Sequence, residues 1–321
     1  MRLLYFGSGA FGLPTLERLA DTHDLIAVVT QPDRPAGRKR RLTPTPVAQW
    51  AEPRGVETWK CDDVNDADFV EKVRAASPDA SVVIAFGQKL SPTLIEAMGE
   101  LAVNLHGSLL PKYRGAAPIQ WAMIEGESET GVSVISLAQR MDAGEVYATA
   151  STPIDPQETA GELHDRLAAL GPEAVERVLS DLEAGTLSPQ PQDDSQASRA
   201  PKLTKADGTV DFGLDAEAVR RRVHALTPWP ACRVALRPAG SDAPLSEPLT
   251  LCRVRVVAGA SESVEPGTVM DELRVATGTP GRAIELGTVQ PPGGKAMPVT
   301  DYARGHAEFG PGAKLLPWNP A

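Results

Sequence analysis

Short apolar runs alternate with amphipathic segments over the first 185 residues. The apolar runs, which predict strands, lie at 2–6, 25–30, 81–85, 102–105, 131–137 and 144–149. The segments with helical spacing lie at 13–21, 44–53, 92–98, 116–125 and 158–184, the last interrupted at Gly171-Pro172. Strands that alternate with helices form parallel, doubly wound sheets, so we predict a Rossmann-like, mostly parallel α/β domain over residues 1–185.

This pattern stops at residues 186–206, where prolines, aspartates and serines replace the apolar positions. We therefore predict a linker there. Beyond the linker, a helical segment at 216–226 precedes short apolar runs at 233–236, 249–257, 268–270, 274–277 and 283–289. Several short strands between Gly/Pro turns predict a smaller β-barrel domain over residues 207–321.

Composition places the chain among ordinary globular proteins, since 42% of its 321 residues are hydrophobic and 23% are charged. The first apolar run is too short for a signal peptide, and no stretch approaches the roughly 20 apolar residues of a membrane span. Three widely spaced cysteines indicate reduced thiols. We therefore expect a cytoplasmic, monomeric protein without membrane contact.

Positive charge is concentrated in one segment, although the net charge is −10. Its basic residues, which no acidic residue interrupts, are Arg34, Arg38, Lys39, Arg40 and Arg41. Nearby prolines and glycine predict a loop. A net negative charge argues against a nucleic-acid partner, but binding depends on local patches. The segment therefore favours phosphate binding over a merely solvated surface.

Gly7–Gly12 matches the G-x-G-x-x-G dinucleotide fingerprint between a strand and a helix. The fingerprint also requires an acidic residue about 20 positions later, at the end of the second strand. Thr30-Gln31-Pro32 stands there, and Asp33 follows behind the proline. The glycines are therefore better explained by a tight turn, and a dinucleotide-binding module stays as the alternative.

Asn104 and His106 lie two residues apart at the end of a predicted strand, so their side chains share one face. The carboxyl ends of parallel strands are where such sheets bind ligands, and an amide and an imidazole there can stabilise an oxyanion. Asp142 follows a later strand and is expected to meet His106 and help move protons. No second His or Cys has metal-ligand spacing, so no metal is expected. Gly115 and the alanines after it are expected to let a ligand approach the backbone.

These motifs together resemble the formyltransferases that use 10-formyltetrahydrofolate, and within them the methionyl-tRNA formyltransferase family. The resemblance rests on Asn104-x-His106, on Ser108-Leu109-Leu110-Pro111-x-Tyr113-Arg114-Gly115 and on Asp142-x-Gly144. Residues 29–38, Lys202–Gly208 and Pro228-Trp229-Pro230 also match, so the likeness runs nearly end to end. Family members usually have a less glycine-rich first turn than Gly7–Gly12.

The resemblance implies specific roles. Asn104, His106 and Asp142 would be catalytic. Ser108, Leu109, Leu110 and Pro111 would line the site for 10-formyltetrahydrofolate, the co-substrate. The basic segment would contact the acceptor stem of methionyl-initiator tRNA, and an OB-like C-terminal barrel would add further tRNA contacts. The alternative within the superfamily is a formyltransferase or hydrolase acting on a small molecule, for which neither the second domain nor the basic segment is needed.

Overall fold

The computed structural model describes residues 1–37, 40–243, 247–259 and 264–318. Its contacts divide the chain into two compact units. Unit 1 comprises Met1–Pro118, Glu129–Thr152 and His164–Ala200, and unit 2 comprises Ile119–Ser128, Pro153–Leu163 and Pro201–Ala321. Residues 186–200 of the predicted linker fall in unit 1 and residues 201–206 in unit 2.

Unit 1 is built on a seven-stranded sheet in the order β10-β9-β7-β6-β1-β2-β5. Its strands are β1 (Arg2–Gly7), β2 (Asp24–Thr30), β5 (Thr58–Lys60), β6 (Ala80–Ile84), β7 (Leu101–His106), β9 (Glu129–Ser136) and β10 (Val146–Pro153). Neighbouring strands from β5 to β7 are parallel, and β9 is antiparallel to β7. The predicted mostly parallel α/β sheet is therefore confirmed.

Burial explains why the middle strands read as continuous apolar runs. Every residue of β6 is buried, as are all residues of β1 after Arg2. Strands covered on both faces lose the polar alternation of a half-exposed strand. The core on one face includes Leu4, Phe6 and Val29, with Phe6 in edge-to-face contact with Phe86.

Nine α-helices occur in the described residues, and capping side chains mark several of their starts. They are α1 (Leu13–Thr22), α2 (Pro46–Ala51), α3 (Ala67–Ala76), α4 (Pro92–Ala97), α5 (Pro118–Glu125), α6 (Ala160–Ala168), α7 (Gly171–Glu183), α8 (Ala216–Ala225) and α9 (Val299–Gly305). Thr45, Asp66 and Ser91 each accept a hydrogen bond from a free N–H of the first turn, at α2, α3 and α4. No helix in these ranges is both long and apolar enough to cross a membrane.

Three shorter pairings in unit 1 lie outside the central sheet's order. The basic segment, predicted as a loop, contains an antiparallel hairpin of β3 (Arg34–Ala36) and β4 (Arg41–Thr43). Arg34 pairs with Thr43 and Pro35 with Leu42, although the nearby prolines and glycine had predicted a loop. Near Ala200, β11 (Arg199–Ala200) pairs in parallel with β8 (Arg114–Gly115), and an isolated bridge joins Val146 to Gln190.

Unit 2 contains an antiparallel sheet in the order β14-β15-β13-β12-β17, with β16 paired to β15. The strands are β12 (Cys232–Arg237), β13 (Leu249–Ala258), β14 (Arg274–Ala276), β15 (Arg282–Gln290), β16 (Met297–Pro298) and β17 (Lys314–Pro317). The predicted strand at 268–270 is wrong. Instead, isolated bridges join Thr268 to Lys314 and Val269 to Val275, on the two edge strands.

Candidate active site

Strand β7 places Asn104 and His106 at its carboxyl end, beside β6 and β9. His106 is 6% exposed. Its Nε2 lies 2.9 Å from the Tyr113 carbonyl oxygen. Because a carbonyl only accepts, Nε2 carries a proton and Nδ1 of the neutral ring is bare. Asn104 is half-buried, and its side-chain amide has no hydrogen-bond partner within the described residues. The amide is therefore available to a ligand.

Asp142 reaches His106 from the turn between β9 and β10. Its Oδ2 lies 3.7 Å from His106 Nδ1 and accepts a 2.8 Å hydrogen bond from the Gly115 N–H. Asp142 has φ of 54°, the left-handed conformation that non-glycine residues seldom adopt. The predicted meeting of His106 with Asp142 is present, at a distance longer than a direct hydrogen bond, and it becomes an ion pair when the imidazole is protonated.

The loop from Tyr113 to Ala117 is held by the chain itself. Tyr113 N–H donates to Ser198 Oγ at 2.9 Å, and the N–H groups of Ala116 and Ala117 donate to the Ala200 carbonyl. Gly115 has φ of 133°, and a Cβ atom there would overlap that carbonyl. The close neighbour that Gly115 admits is thus Ala200, whereas the sequence suggested a ligand.

The predicted folate-binding segment, Ser108–Pro111, follows β7 directly. Ser108 is fully buried, and its hydroxyl donates to the Lys112 carbonyl at 2.7 Å. Ser133 Oγ accepts from the Leu110 N–H and donates to the Ser108 carbonyl. These bonds fix the backbone of the segment and occupy the Ser108 hydroxyl. Leu109 and Pro111 are half-buried, so they are the members with accessible surface.

A cavity of about 730 Å³ in unit 1 was not anticipated from the sequence. It lies between the start of α4 and the segment after β9, two residues before Asp142. Its lining includes the cations Lys89 and Arg140, with the apolar Leu90, Ile95 and Leu137. No sequence signal marks it, because the lining comes from three segments that are distant in the chain, at Asn65, at 89–96 and at 137–140. No group of three or more His, Cys, Asp or Glu among the described residues is placed to hold a metal ion.

Ion pairs hold the base of the basic hairpin. Asp33 Oδ1 lies 2.7 Å from Lys60 Nζ, which is also 2.7 Å from Glu52. These hydrogen bonds raise the pKa of Lys60. Arg34 lies 3.7 Å from Asp62, so its charge is partly compensated.

The predicted phosphate-binding residues of the hairpin have different surroundings. Arg40 and Arg41 are exposed, and neither forms an ion pair within the described part of the chain. Arg38 and Lys39, the other two members of the set, lie outside the described residues.

Tyr5 explains two of the three glycines of the dinucleotide-like fingerprint. Its fully buried side chain lies so close that a Cβ atom on Gly7 or Gly12 would overlap it. The acid expected by the fingerprint is absent from the end of β2, where Thr30 contacts Thr45 at 2.6 Å. Gly7 and Gly12 thus make room for Tyr5, and a Cβ atom on Gly9 would lie 3.0 Å from the Ala85 side chain, so close packing accounts for the three glycines without a dinucleotide.

Comparisons with known proteins cover both parts of the chain. The family model for the formyl transferases matches residues 1–179, and the model for the formyl transferase C-terminal domain matches residues 202–307. A methionyl-tRNA formyltransferase of Heliobacterium modesticaldum is 40% identical, over 98% of this chain and 100% of its own. One of Salinispora arenicola is 41% identical, over 95% of this chain and 97% of its own.

Solved structures share the fold at lower identity. An N-formyltransferase from Helicobacter canadensis, in complex with folinic acid and dTDP-3-aminofucose, has a TM-score of 0.65 and 14% identity, over 88% of this chain and 98% of its own. HypX from Aquifex aeolicus, in complex with tetrahydrofolic acid, has a TM-score of 0.59 and 18% identity, over 96% of this chain and 47% of its own. From the family models and the close relatives, this chain belongs to the formyl transferase family.

Proposed function

We propose that this protein transfers the formyl group of 10-formyltetrahydrofolate to the α-amino group of methionine on initiator tRNA. The observation that carries the proposal is the meeting of His106 and Asp142 at the carboxyl end of β7, which also carries the Asn104 amide, without a hydrogen-bond partner among the described residues. The names of the curated relatives, which match nearly the whole chain, support the same activity.

Nucleophilic attack needs little help from a base. An α-amino group has a pKa of about 7.7–8.0, so a useful fraction is neutral near pH 7. The amine attacks the formyl carbon and negative charge develops on the formyl oxygen. The Asn104 amide donates a hydrogen bond to that oxygen, which stabilises the charge where it forms.

Proton transfer falls to His106 and Asp142. The attacking nitrogen must lose a proton as the folate nitrogen gains one. The Tyr113 carbonyl keeps the proton on His106 Nε2, so only Nδ1 accepts another. Asp142, 3.7 Å from Nδ1, stabilises the imidazolium that results and orients the ring. His106 thus serves as proton carrier and Asp142 as its charged partner.

The cavity beside the Asp142 turn suits the formyl donor. A volume of about 730 Å³ is in the range of small-molecule sites. Its apolar lining suits the aromatic part of a folate, and Lys89 suits a glutamate carboxylate, whereas Arg140 is already paired with Asp194 and Glu96 adds a negative charge to the lining. Leu109 and Pro111 of the Ser108–Pro111 segment are not among its lining residues, and we propose them as further contacts of the donor outside the cavity.

Recognition of the acceptor stem belongs to the basic hairpin and to the C-terminal domain. The uncompensated charges of Arg40 and Arg41 suit a phosphate backbone. For the C-terminal domain we propose an OB-like barrel over residues 207–321, after a catalytic domain over 1–185 and a linker over 186–206. Bridges from Thr268 and Val269 to both edge strands of the sheet support this closure. We also propose that the protein is a monomer in the cytoplasm.

One assay tests the activity. The protein is incubated with labelled 10-formyltetrahydrofolate and either methionyl-initiator tRNA, a dTDP-amino sugar or water as the acceptor. We expect formyl-methionine from the tRNA alone. Asp142→Ala and His106→Ala should each lower kcat by about 100-fold or more. Formyl transfer only to the sugar, or to water, would refute the proposal.

A further inference from the structure

We infer that Gln192 is a positioning residue for the reaction, holding the turn that carries Asp142 in its working conformation. This inference rests on the role proposed for Asp142. Gln192 lies in the Pro-rich segment predicted as a linker, and nothing in its sequence pattern singles it out.

Both ends of the Gln192 amide are fully used. Its Nε2 donates to the Asp142 carbonyl at 2.8 Å and to the Gly144 carbonyl at 2.6 Å. Its Oε1 accepts from Arg114 Nε at 3.1 Å and Nη2 at 2.7 Å. A flipped amide would face donors with its nitrogen and acceptors with its oxygen, so the partners fix its orientation.

The turn that Gln192 holds needs such support. Asp142 is in the left-handed conformation, which surrounding structure must impose on a non-glycine residue. Met141, the preceding residue, is 70% exposed, so side-chain packing there gives little restraint. The two hydrogen bonds from Gln192 instead restrain the backbone carbonyls of Asp142 and Gly144, which lie on either side of Ala143.

Arg114 connects Gln192 to the rest of the site. It is flanked by Tyr113, whose carbonyl binds His106, and by Gly115, whose N–H binds Asp142 Oδ2. Gln192 therefore completes a ring of contacts, in which the segment from Tyr113 to Gly115 binds both His106 and Asp142. Asp194 reinforces the ring, since its two carboxylate oxygens lie 2.8 Å from Arg114 Nη1 and from Arg140 Nη1.

Gln192→Glu tests whether the hydrogen bonds to the Asp142 turn matter apart from the contact with Arg114. The carboxylate still accepts from Arg114 but has no N–H for the two carbonyls. We expect kcat to fall about 10-fold with both KM values within twofold, because small displacements of catalytic groups are costly. Gln192→Ala should behave likewise. Gln196→Glu is the matched control, since it makes the same charge change four residues away, where, among the described residues, the side chain donates one hydrogen bond, to Asp193.

A double-mutant cycle with Asp142→Ala decides the mechanism. If Gln192 acts through Asp142, Gln192→Ala should lower kcat less than twofold in the Asp142→Ala background, because coupled residues are not additive. An equal loss in both backgrounds, or unchanged kcat in Gln192→Glu, would overturn the inference while leaving the proposed function intact. Full activity of Asp142→Ala itself would overturn both, so the two failures are distinguishable.

Discussion

His224 gives unit 2 a predicted sensitivity to acid. The side chain lies in α8 without exposed surface. Its Nε2 is 3.1 Å from the Val254 N–H and must accept, and its Nδ1 is 3.2 Å from the Pro156 carbonyl and must donate. The neutral ring satisfies both contacts, whereas a second proton would face a donor. Burial, followed by the nearby charge of Arg220, lowers the pKa of His224 to about 4.

Whether stability rises or falls with pH follows from the pKa values of His224 in the folded and unfolded states. The unfolded state binds a proton below the ordinary pKa of 6.5, but the folded state binds one only near 4. Stability is therefore fully present above pH 6.5 and is lost as the pH falls from 6.5 towards 4. The difference between those pKa values corresponds to about 3 kcal/mol at the acid end, of which about 2.5 kcal/mol is lost by pH 4.5.

Urea unfolding at pH 7.5 and pH 4.5 measures this loss. We expect His224→Gln to lose about 2.5 kcal/mol less between these pH values than the unsubstituted protein. His306→Gln, in the same unit, is the control and should keep the full pH dependence. Identical pH dependence in His224→Gln, or an NMR titration of His224 near pH 6.5 in the folded protein, would refute the reasoning. The titration uses the unsubstituted protein, so it decides even where the variant does not fold.

Three further changes test other parts of the molecule. Asn104→Ala should lower the single-turnover rate by about 100-fold because an oxyanion donor is lost, and a loss under threefold would contradict that role. Replacing Arg40 and Arg41 with alanine should flatten the slope of log kcat/KM for tRNA against log salt by up to about 1.8; parallel slopes would mean that neither arginine meets a phosphate. Gly12→Ala should destabilise the protein by about 1–3 kcal/mol in urea unfolding, because the new methyl group overlaps Tyr5, and saturable NAD binding by calorimetry would contradict this account of the glycines.

Periodicity predicted the elements whose burial is one-sided or complete. The strands at 2–6 and 81–85 and the helix at 13–21 fall within one or two residues of β1, β6 and α1. Helix α3 was not predicted although its buried Val70 and Val73 have helical spacing, and β5 was missed because three residues carry no period. The β3–β4 hairpin was missed because its turn chemistry also fits an irregular loop.

In the candidate site, too, some contacts could be predicted from the sequence and others could not. The meeting of His106 with Asp142 was predictable because both follow strand ends, and topology alone brings such ends together. The confirmed assignment to the formyltransferases rested on those same motifs. Gln192 and Arg114 were not predictable as partners, since isolated polar side chains give no periodic signal. Their pairing depends on how a Pro-rich segment lies against two loops.

Hydrogen bonds suit the support of the Asp142 turn better than apolar packing would. In the role proposed for Asp142, its carboxylate needs open surface on its turn, and a cover of apolar side chains would remove that surface. The bonds from Gln192 to the Asp142 and Gly144 carbonyls hold the backbone, while Met141, directly before Asp142 in the turn, stays 70% exposed. Directional bonds also fix orientation, which dispersion contacts do less sharply. Accessibility and a fixed carboxylate are thus compatible because the constraint acts through backbone carbonyls.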